Sequence, residues 1–146
     1  MAGAAVIASR VQLIHGEYYG QAPDHVRVYE AGDVVVVLIE GAFTRAEQML
    51  IGRGEASEVQ VIRRRFEMAI ADQFIEVVQT ATGRRVRAFI PDTDLNEHLA
   101  VETFVLGEPV EDMAGFEREG SRADTDQEIS DQAKREDAFN RLGPAS

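Results

Sequence analysis

The 146 residues carry 26 acidic and 15 basic side chains, a formal charge of −11 at pH 7, with 45% apolar residues and no cysteine. That is the make-up of one globular domain with its own core. It excludes disulfides, thiol chemistry and cysteine-based metal sites, and it disfavours phosphate backbones and anionic lipid surfaces as partners. Nothing in the chain approaches the ~20 consecutive apolar residues of a membrane span. The opening MAGAAVIASR lacks the basic start of a secretory signal. A cytoplasmic protein without direct membrane insertion is therefore expected.

Taken in chain order, Ile7, Val11, Ile14 and Tyr18 recur at helical spacing and predict a first helix ending near Gly20, with Pro23 just beyond. Val26–Glu30 alternates. Ala31-Gly32-Asp33 is a tight-turn sequence, and Val34–Ile39 is a continuous apolar run, so the two segments predict an antiparallel hairpin with a central second strand. Thr44-Arg45-Ala46-Glu47 opens a helix with a capping box, Thr44 bonding forward to the Glu47 N–H and Glu47 reaching back to Thr44. This short helix breaks at Gly52-Arg53-Gly54.

A long helix follows from about Ser57 to Ala81, ended by Thr82-Gly83. Val59, Ile62, Phe66, Ala69, Gln73, Phe74, Val77 and Ala81 form its expected core-facing stripe. Val61, Met68 and Ile75 make a second apolar line seven residues apart, which a first helix or another copy of the chain would cover. Arg85–Ile90 and Leu99–Leu106 read as two further strands joined by the polar link 91–96. The order αββααββ predicts an α+β two-layer sandwich: a four-stranded, mostly antiparallel sheet with helices on one face. Residues 107–146 hold 5 basic and 11 acidic side chains and few large apolar ones. They are read as an acidic, flexible tail after a domain spanning 1–106, in which a helix over Asp124–Leu142 could form.

Several segments together resemble the small bacterial proteins called MpsC-like, named after a component of a proposed sodium-translocating, membrane-potential-generating system. They are Tyr18-Tyr19-Gly20-Gln21-Ala22-Pro23, Asp33-Val34-Val35-Val36, and Glu40-Gly41-Ala42-Phe43-Thr44-Arg45-Ala46-Glu47, which is similar to the family's EGxLTxAE. The likeness continues in Ile62-Arg63-Arg64-Arg65-Phe66, Thr82-Gly83-Arg84-Arg85-Val86 and Glu102-Thr103-Phe104-Val105-Leu106. It covers residues 5–106 and departs at Gln21, where a small or basic residue is usual, and in the acidic tail. It implies a cytoplasmic accessory protein and brings no catalytic residue with it.

Candidate sites are sparse. Thr44 and Glu47 are accounted for by their cap. His15, His25 and His98 lack metal-ligand spacing, and Gly52-Arg53-Gly54 lacks the Lys-Ser/Thr of a phosphate loop. Asp92, Asp94 and Glu97 fit a solvated turn better than a cation loop. No cofactor, metal or catalytic set is expected. Arg63, Arg64 and Arg65 fan across about 200° of helix surface and cannot all face water. Arg27, Arg85 and Arg87 are expected on the sheet face opposite the helices with Tyr29, Phe89 and Glu102, and with Phe104 as a further candidate. Such a face can bind a partner or pair internally. The expectation is a non-enzymatic, homodimeric adaptor that uses this face, or the line Val61, Met68 and Ile75, to contact a protein partner tied to a membrane ion or bicarbonate transport system. The alternative is a domain holding a small anionic ligand, or catalysing a reaction on one, between Arg85, Arg87 and Glu102. Nucleic acid is not an expected partner.

Overall fold

The computed structural model describes residues 2–110. The acidic tail beyond Val110, including the segment 124–142 read as a helix, lies outside the described residues. The element order is α1 (Ala2–Tyr19), β1 (His25–Ala31), β2 (Val34–Glu40), α2 (Arg45–Gly52), α3 (Ala56–Thr82), β3 (Arg84–Asp94) and β4 (Leu99–Pro109). The strands form one open antiparallel sheet in the order β1-β2-β4-β3. The fold is α+β, with α1 over β1, α3 over β3, the two long helices packed together and α2 against α3.

Local chemistry explains the joints. Gly20 takes φ 73° where α1 stops, and Ala31 pairs with Val34 around the turn at Gly32, φ 58°. The capping box forms in full: the Glu47 N–H donates to Thr44 Oγ1 at 3.2 Å, and the Thr44 N–H donates to Glu47 Oε1 at 3.0 Å. Gly83 ends α3 in the left-handed region, its N–H donating to the Gln79 carbonyl at 2.8 Å.

Alternation sorts the sheet. Val35, Val37 and Ile39 of β2, with Ala100, Phe104 and Leu106 of β4, point into the core. There they meet Ile7, Val11 and Ile14 of α1, Ile70, Phe74, Val77 and Val78 of α3, and Phe43. Both central strands are thus apolar on two faces although helices cover only one.

Four expectations are corrected. Tyr18 is exposed in the last turn of α1, where its hydroxyl accepts from the Gln73 side chain, and Tyr19 packs on the core instead. The buried face of α3 is Val59, Arg63, Glu67, Ile70, Ala71, Phe74, Val77 and Val78, whereas Ile62 and Phe66 stand 48% and 46% exposed. Choosing the apolar residue at each helical step misplaced the first half of the stripe, because Arg63 and Glu67 are buried in place of their apolar neighbours. The link 91–94 is strand: β3 runs on to Asp94, and Pro91 is tolerated there because β3 is an edge strand. β4 likewise continues past Leu106 to Pro109.

Candidate functional site

The uncovered sheet face is built by the residues that alternate away from the core. Val34, Val36 and Leu38 of β2 and Val101, Thr103 and Val105 of β4 form its half-buried centre. Tyr29 of β1 and Ile90 of β3, 52% and 56% exposed, flank it in the row that contains Val36 and Thr103. Arg27 lies on this face, paired with Glu40 at 2.5 Å. Arg85 and Arg87 are exposed, and a Cβ added at Gly107 would touch the Arg87 side chain, which places Arg87 beside Gly107 on the same face. Arg84 is spent differently: it donates to the Gly107 carbonyl at 3.0 Å and pairs with Asp33 at 2.8 Å.

Phe89 and Glu102 are not on this face, nor is Phe104. β4 alternates without interruption, so Glu102 falls in phase with Ala100 and Phe104 and points at the helices. In β3 the register slips on either side of Val86, and the extra residue at Arg87 turns Phe89 inward against Phe104, ring centroids 5.0 Å apart. The expected alternation through Arg85, Arg87 and Phe89 ignored that bulge. Arg85 and Arg87 therefore do not converge with Glu102.

The second line on α3 divides. Val61 and Met68 are 53% and 66% exposed and line an open groove with Arg64, Ile90, Pro91 and Asp92, whereas Ile75 packs against the core.

One cluster was not foreseen. Arg63 is 2% exposed; its Nε donates to Glu47 Oε2 at 2.6 Å, and its Nη2 donates to the Ala42 carbonyl. The guanidinium lies between the rings of Phe43 and Tyr19, 4.1 and 4.6 Å from their centroids. Glu47 thus closes its own helix cap with one oxygen and holds Arg63 with the other. Glu67, one turn further on, and Glu102 from β4 are 6% and 3% exposed, and His15 is 3% exposed, donating from Nδ1 to the Gln21 carbonyl at 3.2 Å. Glu67 Oε1, Glu102 Oε2, Tyr19 Oη and His15 Nε2 make no hydrogen bond to the described protein groups.

Desolvation dominates here. It pushes the Glu102 carboxyl up to about 8, with the nearby Glu67 charge adding to it and Arg63 opposing. It also raises Glu67 and the Tyr19 hydroxyl and lowers His15. Glu102 can thus keep a proton near neutral pH, yet it is sealed from solvent. Two signals in the chain pointed here: Arg63 and Glu67 fall one helical turn apart in phase with Val59 and Ile70, and Glu102 falls in phase with Ala100 and Phe104.

Among the described residues, no grouping of three or more His, Asp or Glu side chains is placed to hold a metal ion, and no helix is long and apolar enough to cross a membrane. The family model described as "Na+-translocating membrane potential-generating system (MpsC)" matches residues 3–108. Neither a curated protein nor a solved structure matches the chain.

Proposed function

The chain belongs to the MpsC family, and from that premise we propose that it is a non-enzymatic, cytoplasmic accessory protein of a membrane-potential-generating system, acting as a homodimer that contacts other proteins. The observation that carries this reading is the uncovered sheet face: an apolar centre around Val36 and Thr103, flanked by exposed Tyr29 and Ile90 and edged by Arg27, Arg85 and Arg87. A contiguous apolar patch with a polar rim is what a protein contact site needs. Glu102, its carboxyl raised to about 8, favours the same reading: it is 3% exposed and lies in the core, where a substrate could reach it only by opening the packing between helices and sheet. Arg85 and Arg87 are separated from Glu102 by the thickness of the sheet, so the anionic-ligand alternative loses its clamp.

The test is affinity capture from the native cell with the full-length chain and two variants. Tyr29→Asp charges the sheet face alone, since Ile90 also borders the groove, and Met68→Glu charges the groove on α3; both positions are exposed. The first variant is expected to lose the captured proteins and the second to keep them. Recovery of the same proteins by all three chains would sink the assignment to the sheet face. Cell fractionation tests the location.

A further inference from the structure

The proposed contact face carries a charge pattern that specifies an occupant. Along β3 the outward side chains read Arg85 and Arg87 at one end and Asp92 and Asp94 at the other. Their positions follow from the pairing with β4: Asp94 stands opposite Leu99, Asp92 opposite Val101, Ile90 opposite Thr103 and Ala88 opposite Val105. The two register slips set Arg87 between Val105 and Gly107 and put the Arg85 carbonyl beside Gly107. Arg87 and Asp92 thus lie at nearly equal steps on opposite sides of the Ile90–Thr103 row, and so do Arg85 and Asp94. Among the described residues none of the four forms an ion pair, whereas Arg27, Arg63 and Arg84 each do.

We propose that this face packs on the same face of a second copy, about a two-fold axis that runs across the strands along the row Tyr29–Val36–Thr103–Ile90. The inference rests on the adaptor reading in taking this face as the contact surface, and it makes the second copy the protein that this face itself touches, other proteins binding the dimer so formed. Such an axis reverses the strand direction and stacks β3 on β3 of the partner copy. Arg87 of each copy then lies over Asp92 of the other, and Arg85 over Asp94. Stacked sheets sit about 10 Å apart, a gap that an arginine and an aspartate reaching from opposite sides can close. The apolar centre meets its own image, as an isologous interface requires. An edge-to-edge dimer through β3 is a poorer solution, because Pro91 and the irregular register around Val86 interrupt the ladder that an added strand would need.

Charge reversal gives the test, using the full chain and light scattering or sedimentation. The native chain is expected to be dimeric. Arg87→Asp and Asp92→Arg, both at exposed positions, are each expected to raise the dimer dissociation constant at least tenfold, with far-UV circular dichroism unchanged. Mixing the two variants in equal amounts is expected to restore a dimer, since every facing pair is then opposite in sign. The double variant R87D/D92R is expected to self-associate like the native chain. A native chain that stays monomeric at high micromolar concentration, single variants that remain dimeric, or a mixture that stays monomeric would each overturn the proposal. Its failure is distinguishable from failure of the adaptor reading. A monomeric native chain whose cell partners still depend on Tyr29 removes only the second copy, whereas a dimer that captures no other protein removes only the adaptor.

Discussion

A guanidinium can be buried to 2% exposure only where its charge and its donors are matched. Arg63 meets both conditions through Glu47, the Ala42 carbonyl and two aromatic faces. Taking the side chain away leaves Glu47 unpaired, an acceptor unsatisfied and a cavity, so Arg63→Ala should destabilise by about 3 kcal/mol or more in urea denaturation. Arg63→Lys should recover only part of that, because an ammonium cannot fork to two acceptors while stacking between two rings. An alanine variant as stable as the native chain would show that the pair is incidental.

Glu102 makes the opposite kind of contribution. Its acidity in the fold, about 8 against an ordinary 4.5, means that between those values the folded chain holds a proton that the unfolded chain has released. Stability therefore falls as pH rises through this window, by up to about 1.4 kcal/mol per pH unit for one proton, and levels off above about 8. Glu67 and Tyr19 shift in the same sense. His15, held below its usual 6.5, costs stability only on the acid side of that value. From pH 6.5 to 8 a decline is expected from Glu102, and Glu102→Gln should flatten it and make the protein more stable at pH 8. A native chain with level stability from pH 6.5 to 8 would show that Glu102 is not held protonated.

Among the elements, α2 shows how a terminal turn can be coupled to the core. Thr44→Ala removes the cap on its N-terminus, worth about 1 kcal/mol on its own. Because Glu47 also holds Arg63, the loss should exceed that of an isolated cap, and a double-mutant cycle of Thr44→Ala with Arg63→Ala should show coupling. Strict additivity would separate the two roles. The junctions of this fold were legible in the chain because turn and cap chemistry is local: Gly32, Thr44-Glu47 and Gly83 each act within a few residues. The apolar run of β2 and the Ile7, Val11 and Ile14 stripe of α1 were legible because hydrophobic period is a property of one element, whereas Phe104 of β4 was a candidate for the opposite face and points into the core.

What escaped depends on partners distant in sequence. Which of Arg63, Arg64 and Arg65 turns inward is undecided until Glu47, Tyr19 and Phe43 are brought around the first of them, and Glu67 stood outside the expected apolar stripe. Pro91-Asp92-Thr93-Asp94 reads as a link until β4 pairs with it. The bulge at Arg87 has no local signature, yet it decides that Phe89 faces inward, and uninterrupted alternation in β4 decides that Glu102 does too. The uncovered sheet face was thus half readable: Arg27, Tyr29, Arg85 and Arg87 stand where their alternation put them, whereas Phe89 and Glu102 belong to the core.

For the whole molecule, net charge competes with the local pairs that the sheet-on-sheet dimer would make. Residues 2–110 hold 10 basic and 16 acidic side chains, a net of −6; two such domains with centres about 30 Å apart repel by roughly 5 kcal/mol in unscreened water, by about 2 at 10 mM salt and by well under 1 at 150 mM. The reciprocal Arg–Asp pairs at the rim contribute about 0–1 kcal/mol each and lose only part of that over the same range. Repulsion is the larger salt-dependent quantity, so self-association should tighten at least tenfold between 10 and 150 mM sodium chloride and change little above that. Weakening over the first interval would mean that the rim pairs, and not the apolar centre of the sheet, hold the two copies together. The Arg87→Asp variant sharpens the measurement. Its charge is more negative than the native chain's by two, so generic screening should benefit it more, yet its facing pairs repel at any salt concentration. If 150 mM salt restores its dimer to the native level, charge balance alone explains the effect, and the specific register about Thr103 is wrong.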